Sequence, residues 1–175
     1  YFRDELYYLA SLNHLDFGYV EHPHFFIYLL AVWRSIAGDS LAAVRILALL
    51  AGTAHVIAVG LMARFLVWLA LAIGLAAAAT ALMPILLGTQ HMYSMNVIDE
   101  LFWALTGLAL IPIFRSAEPR NWIILGFLLG LGLMNKISVL WLGAGIGAAL
   151  LLPPERRWLA TRWPWIAGAI ALLFL

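Results

Sequence analysis

Long apolar runs broken by short polar hinges set the pattern of this chain. Leu41 to Leu66 is long enough to cross a bilayer, with Arg45 near one end and Arg64 near the other, where both can snorkel to opposite interfaces. Phe65 to Val97 carries no Asp, Glu, Lys or Arg, and Pro84 with Gly88 marks its later part. One crossing and a short polar turn, Gly88 to Asn96, account for it. Leu101 to Phe114, Trp122 to Met134 and Ile137 to Leu152 follow. At 13 to 16 residues each, they reach spanning length only with Asp99-Glu100 and Asn135-Lys136 within or against the membrane edge. A further apolar run, Trp163 to Leu175, follows Pro153-Pro154-Glu155-Arg156-Arg157.

Two earlier segments differ in kind. Asp4 to Leu15 has helical length but mixed polarity, and Pro23 to Ala37 is apolar yet interrupted by Arg34. Both suit helices lying at the interface. The pattern predicts an all-α, polytopic transmembrane helical bundle with four to six crossings. Residues 1–38 form an outer loop with two interfacial helices, and 39–175 form the transmembrane helices of a single domain. The start at Tyr1 and the short final run are those expected of a fragment.

Composition agrees with the membrane class. Hydrophobic residues make up 65% and charged residues 11%, against about 25% charged in a soluble domain. The ten basic residues are spread along the chain without a patch, so no nucleic-acid partner is expected. Cysteine is absent, which removes disulfides and thiolate metal sites and leaves carboxylates, histidines and hydroxyls as the chemical inventory. Counting Lys and Arg in short loops puts Arg64, Arg115, Arg120, Arg156, Arg157 and Arg162 on the cytoplasmic side. Alternate crossings then gather Asp4, Glu5, Asp16, Glu21, Asp39, Asp99 and Glu100 with Lys136 on the outer face, seven of the nine acids.

The order Arg3-Asp4-Glu5-Leu6-Tyr7-Tyr8, Gly18-Tyr19-Val20-Glu21-His22-Pro23, Ser94-Met95-Asn96 with Asp99 before Phe102-Trp103, and Gly130-Leu131-Gly132-Leu133-Met134-Asn135-Lys136 resembles bacterial membrane glycosyltransferases of the GT-C fold. The nearest group is that of the dolichyl-phosphate-mannose protein mannosyltransferases and aminoarabinose transferases. The resemblance implies an inner-membrane, multi-pass enzyme that takes a sugar from a polyprenyl-phosphate donor on the periplasmic face. Its acceptor would be a protein, lipid A or another glycolipid or glycan. It also implies catalytic carboxylates at Asp4 and Glu5, with Asp4 in the place of the base. Glu21 matches a position that carries a divalent-metal ligand in some relatives, with His22 beside it as a second ligand or a phosphate contact.

The chemistry of such a transfer asks for a carboxylate to take the acceptor's proton and positive charge on the departing phosphate. Arg3, His22, Arg45 and Lys136 are the candidates for the second role, and Tyr8, Tyr19 and Asp99 complete the expected substrate contacts. Each has a plainer reading. Asp4 and Glu5 suit the first turn of any helix, Asp99 suits a cap, and Lys136 suits an interfacial anchor. Asp99 and Glu100, about 100° apart on a helix, are not expected to face one site. Gly126, Gly130 and Gly132, and later Gly143, Gly145 and Gly147, have the spacing of close helix contacts. A transporter or flippase and a non-catalytic membrane protein are the alternatives. A transporter would place its ionisable groups near the bilayer midplane, whereas here they sit at the ends of apolar runs.

Overall fold

The computed structural model describes residues 3–19, 22–116 and 118–175. The helices are α1 (Arg3–Ser11), α2 (Phe25–Ala37), α3 (Leu41–Val67), α4 (Ala70–Leu82), α5 (Pro84–Gln90), α6 (Met95–Ser116), α7 (Pro119–Asn135), α8 (Val139–Ala149) and α9 (Trp163–Leu172), with a 3-10 turn at Glu155–Ala160. No strand occurs among the described residues.

Local chemistry explains most of the boundaries. Ser40 caps α3 by accepting from the Ala43 amide at 3.1 Å. The far end of α3 closes on Trp68, a non-glycine residue at φ 57°, whose amide donates to the Arg64 carbonyl. A side chain pays about 1–2 kcal/mol for that left-handed conformation, and the Arg64 guanidinium lies over the exposed indole, 6.0 Å from its centroid. Pro84 forces Met83 out of the helical region, so α4 and α5 meet at a bend of 58°. Proline opens α7 at Pro119, where its missing N–H costs nothing.

Side-chain contacts fix the direction of each helix. His55 borders Asp99 and Glu100 in one groove, Met62 packs on Gly107, and Phe65 shares a cavity with Leu108 and Pro112, so α3 and α6 run parallel. The bent pair α4–α5 returns alongside α3, where Ile73 and Ala77 face Gly60. Lys136 meets Asn96 and Asp99, which makes α7 antiparallel to α6. Gly126 touches Ala167 and Gly130 touches Phe174, so α9 runs parallel to α7, with α8 descending alongside. The described residues therefore make six passes between two ends.

Those passes differ in length. Among the described residues two helices, Leu41–Val67 and Met95–Arg115, are long and apolar enough to cross a membrane, and a third if the bent pair is one span. This falls below the expected four to six. α7 has 17 residues, α8 has 11 and α9 has 10, against the roughly 20 a span needs. α8 is short because the chain before it is held by Asn135 and Lys136, and because turns from Leu150 onward lead to Pro153-Pro154. α6 extends back to Met95, so Asp99 and Glu100 lie inside the helix rather than at its edge.

Two apolar clusters form the core. One joins Tyr8, Phe26, Ile27, Leu30, Val44, Leu47, Tyr93, Val97 and Phe102 across α1, α2, α3 and α6. The other joins Trp122, Leu125, Leu129 and Leu133 of α7 to Val139, Leu150, Trp158, Ala167 and Ala171. A Cβ on Gly126 would lie 2.7 Å from the Ala167 carbonyl oxygen, so α7 and α9 pack backbone to backbone. Gly132 also meets a close neighbour in Val139, but Gly143, Gly145 and Gly147 face nothing within 4 Å, contrary to the expected close contact. α8 instead borders an apolar cleft of about 330 Å³ against α7 and α9.

Candidate functional site

The six passes bring α1, α2, the starts of α3 and α6, the end of α7 and the start of α8 to one end of the molecule. Two polar clusters stand there, on either side of the aromatic core.

The first is built on α1. Its first turn carries Asp4 and Glu5, where the helix dipole favours acids, but the two side chains go different ways. Asp4 is exposed, whereas the Glu5 side chain is 0% exposed and reaches across to α3, where its carboxylate meets Arg45 at 3.4 Å. Both guanidinium nitrogens on that side, Nε and Nη2, face the two carboxylate oxygens. A carboxylate so buried needs its cation: removing either partner would strand a charge.

Next to it the loop Leu12–Tyr19 is tied by the Tyr19 hydroxyl, which accepts from the Asp16 amide and donates to the carbonyls of Ser11 and His14. The Tyr19 ring lies 5.0 Å from that of His22, which also contacts Tyr7, Tyr8 and Phe26 at 4.9 to 5.7 Å. His22 is buried, with Nδ1 3.0 Å from the Pro23 carbonyl and no hydrogen-bond partner for Nε2 among the described residues. Tyr8 is likewise buried, edge-on to Phe26.

The second cluster joins α6 to the α7–α8 turn. Ser138 donates to Asp99 at 2.8 to 2.9 Å, and Lys136 lies 3.6 Å from Asp99 while donating to Asn96 at 2.7 Å. Asn135, fully buried, donates to the Met95 carbonyl at 3.0 Å. Asp99 is the fifth residue of α6 and no cap. Its neighbour Glu100 turns to α5 and accepts from Thr89 at 2.7 Å. The two carboxylates diverge in their partners, as a 100° separation requires, yet both border one groove of about 380 Å³ with His55 and Trp103, a shared surface the sequence reading did not expect.

Tyr93 links the clusters. Its hydroxyl donates to the Phe26 carbonyl at 2.6 Å, fastening α2 to the start of α6, and burial followed by the nearby Tyr8 pushes its phenol well above the usual 10.0.

The structure thus joins Glu5 with Arg45, Tyr8 with Tyr19 and His22, and Asp99 with Lys136. Glu21 and the Arg3 side chain lie outside the described residues. Among the described residues no three His, Asp or Glu side chains converge as metal ligands, and His22 is enclosed by rings, so the described side chains offer no cation cage. Ser138, Thr89 and Tyr93 were missed by sequence reasoning. Ser138 had a signal in Asn135-Lys136-Ile137-Ser138, which puts two polar side chains beside the lysine.

A family model described as dolichyl-phosphate-mannose-protein mannosyltransferase matches residues 21–175. The chain belongs to that family. It is therefore a mannosyltransferase-like membrane glycosyltransferase of the GT-C type, as the motif order implied. No curated protein and no solved structure matches it. The family match begins at Glu21, so α1 with Asp4 and Glu5 precedes the matched region.

Proposed function

We propose that the end of the molecule bearing α1, α2 and the Asp99–Lys136 cluster faces the outside of the bacterial inner membrane and transfers a sugar from a polyprenyl-phosphate donor to a hydroxyl acceptor. The observation that carries this reading is the gathering of a buried carboxylate–guanidinium pair, Glu5–Arg45, and a second carboxylate–ammonium pair, Asp99–Lys136, at one end of a bundle from a glycosyltransferase family.

In the reaction an acceptor oxygen forms a bond to the anomeric carbon while the bond from that carbon to the phosphate oxygen breaks, leaving the electron pair on the phosphate. The acceptor proton passes to a carboxylate. Asp4 takes this role because its side chain is exposed at the start of α1, whereas that of Glu5 is fully buried. Arg45 and Lys136, whose side chains are 38% and 31% exposed, keep enough access to receive the phosphate charge while their carboxylates hold them in place. Tyr8, Tyr19 and His22 form the aromatic wall beside them. Arg3, next to Asp4 in sequence, is a further phosphate contact, and Glu21, next to His22 in sequence, is the ligand for a divalent metal where one takes part.

The test uses the full-length protein in proteoliposomes with a panel of polyprenyl-phosphate sugars. Donor-specific consumption that falls about 100- to 10,000-fold in folded Asp4→Asn is the expected result. Consumption unchanged by Asp4→Asn would move the base away from α1. No consumption of any donor by folded protein with protein, lipid and glycan acceptors would contradict the transferase reading.

A further inference from the structure

We infer that the cleft between α3, α6 and α7 at the arginine-bearing end is a binding site for an anionic phospholipid, with the phosphate on Arg115 and Asn121 and an acyl chain along the apolar wall. The cleft holds about 570 Å³, within the range of roughly 300–1,000 Å³ common for ligand sites. It lies at the end opposite the proposed transfer site, and the inference does not rest on that proposal.

The shape follows from the helices. α6 and α7 are antiparallel neighbours, and Phe65 of α3 closes the third side. Leu105, Leu108, Ile124 and Leu128 supply a hydrocarbon wall. Among the described residues that line it, the polar side chains are Arg115, near the end of α6, and Asn121, near the start of α7, so both fall at the same end of the cleft. A charge at one end of an apolar channel is the outline of a lipid, not of a neutral chain.

Charge complementarity selects the headgroup. Arg115 has no acidic partner among the described residues, whereas nearby Arg120 is engaged by Glu118 at 2.6 Å. Its planar fork suits phosphate bidentately, and an amide such as Asn121 donates to the same oxygens. Basic pockets between transmembrane helices are recognised sites for anionic headgroups, worth about 1 kcal/mol per basic residue near the surface. The cleft between α7, α8 and α9 makes the contrast: among the described residues no charged side chain lines it, and the polar side-chain group on its wall is the buried Trp122 indole N–H.

The experiment is native mass spectrometry of the full-length protein titrated with phosphatidylglycerol or phosphatidylcholine of identical chains. The expected result is a preference for phosphatidylglycerol of about fivefold, the fold-change equivalent to roughly 1 kcal/mol, lost in Arg115→Gln and kept in Arg157→Gln. Ala109→Trp, which fills the apolar wall, should reduce retention of both lipids. Equal retention of the two lipids by wild type, or a preference that survives Arg115→Gln, would overturn the site. So would displacement of phosphatidylglycerol by substoichiometric undecaprenyl phosphate, which would assign the cleft to the carrier lipid. Failure of Ala109→Trp to lower retention would show the cleft covered by protein, with the same consequence.

Discussion

The two ends of this bundle hold similar charges in opposite ways. At the end bearing α1 and α2, two cations are matched to carboxylates far away in sequence, Arg45 to Glu5 and Lys136 to Asp99, with Asn96 and Ser138 completing the second pair, while Arg34 pairs with Asp39 five residues on. At the other end the arginines are local. Arg64 lies over Trp68, Arg157 over Trp158 and Arg162 over Trp163, and Arg120 pairs with Glu118 two residues away. Long-range pairs fix geometry and cost desolvation, which is justified where charge must be presented to a reacting group. Local aromatic and headgroup contacts anchor helices at an interface without fixing a site.

The sharpest way to break the contrast is to remove cations from each end in the full-length protein. Lys136→Ala and Arg45→Ala should each lower donor turnover about 100- to 1,000-fold, the loss typical of a donor aimed at developing charge, and Arg157→Ala should leave it near wild type. Equal losses at both ends, measured as initial rates, would erase the distinction.

A smaller but still large effect should come from the packing that holds the ends in register. Gly126→Leu would push a side chain into the Ala167 backbone, and the expected cost is at least about 1–3 kcal/mol. Unfolding in mild detergent with added denaturant would read it, and Gly145→Leu, at a position with nothing within 4 Å, should cost little.

The Asp99–Lys136 contact can be isolated by a double-mutant cycle on stability. Asp99→Ala leaves Ser138 without its acceptor and Lys136 with Asn96 in place of an ion pair, and should cost about 1–3 kcal/mol; because Lys136 is 31% exposed, the coupling with Lys136→Ala should be about 1 kcal/mol after solvent screening. A coupling near zero would reduce the pair to coincidence.

The smallest effect concerns Tyr93. Tyr93→Phe removes the hydrogen bond to Phe26, worth about 1 kcal/mol. Because the folded-state pKa is raised above 10.0, the phenol's contribution is fully present below that pH and is lost as pH rises above it, where only the unfolded phenol ionises. The stability gap between wild type and Tyr93→Phe should therefore narrow above pH 10.0.

Much of the fold was legible from hydrophobic runs alone. The long helix was expected at Leu41–Leu66 and lies at Leu41–Val67, but the single crossing expected before a turn at Gly88–Asn96 is instead bent at Pro84, and α5 runs past Gly88 to Gln90. The extension of α6 back to Met95 was hidden because Asp99 and Glu100 read as a polar boundary. A helix can bury such carboxylates when Ser138, Lys136 and Thr89 arrive from other segments, and run length does not contain those arrivals. The candidate site divides in the same way. Charge order along the chain brought Glu5, Arg45, Asp99 and Lys136 to one end. Which acid meets which base depended on helix rotation, so Glu5 and Asp4 separated into a buried partner and an exposed carboxylate. The glycine spacings shared one pattern, but only the α7 set meets a neighbour, since α8 sits beside a cleft.

Sidedness tests the account most directly. The chain lacks cysteine, so the full-length protein, with any other cysteines replaced by serine, can carry one reporter thiol at Asp16→Cys in the α1–α2 loop or at Arg120→Cys at the start of α7. In intact bacteria with a permeabilised outer membrane, a membrane-impermeant maleimide should label Asp16→Cys and spare Arg120→Cys until the inner membrane is opened. Labelling of Arg120→Cys in intact cells with Asp16→Cys protected would put the acidic end inside and contradict an outward-facing transfer site.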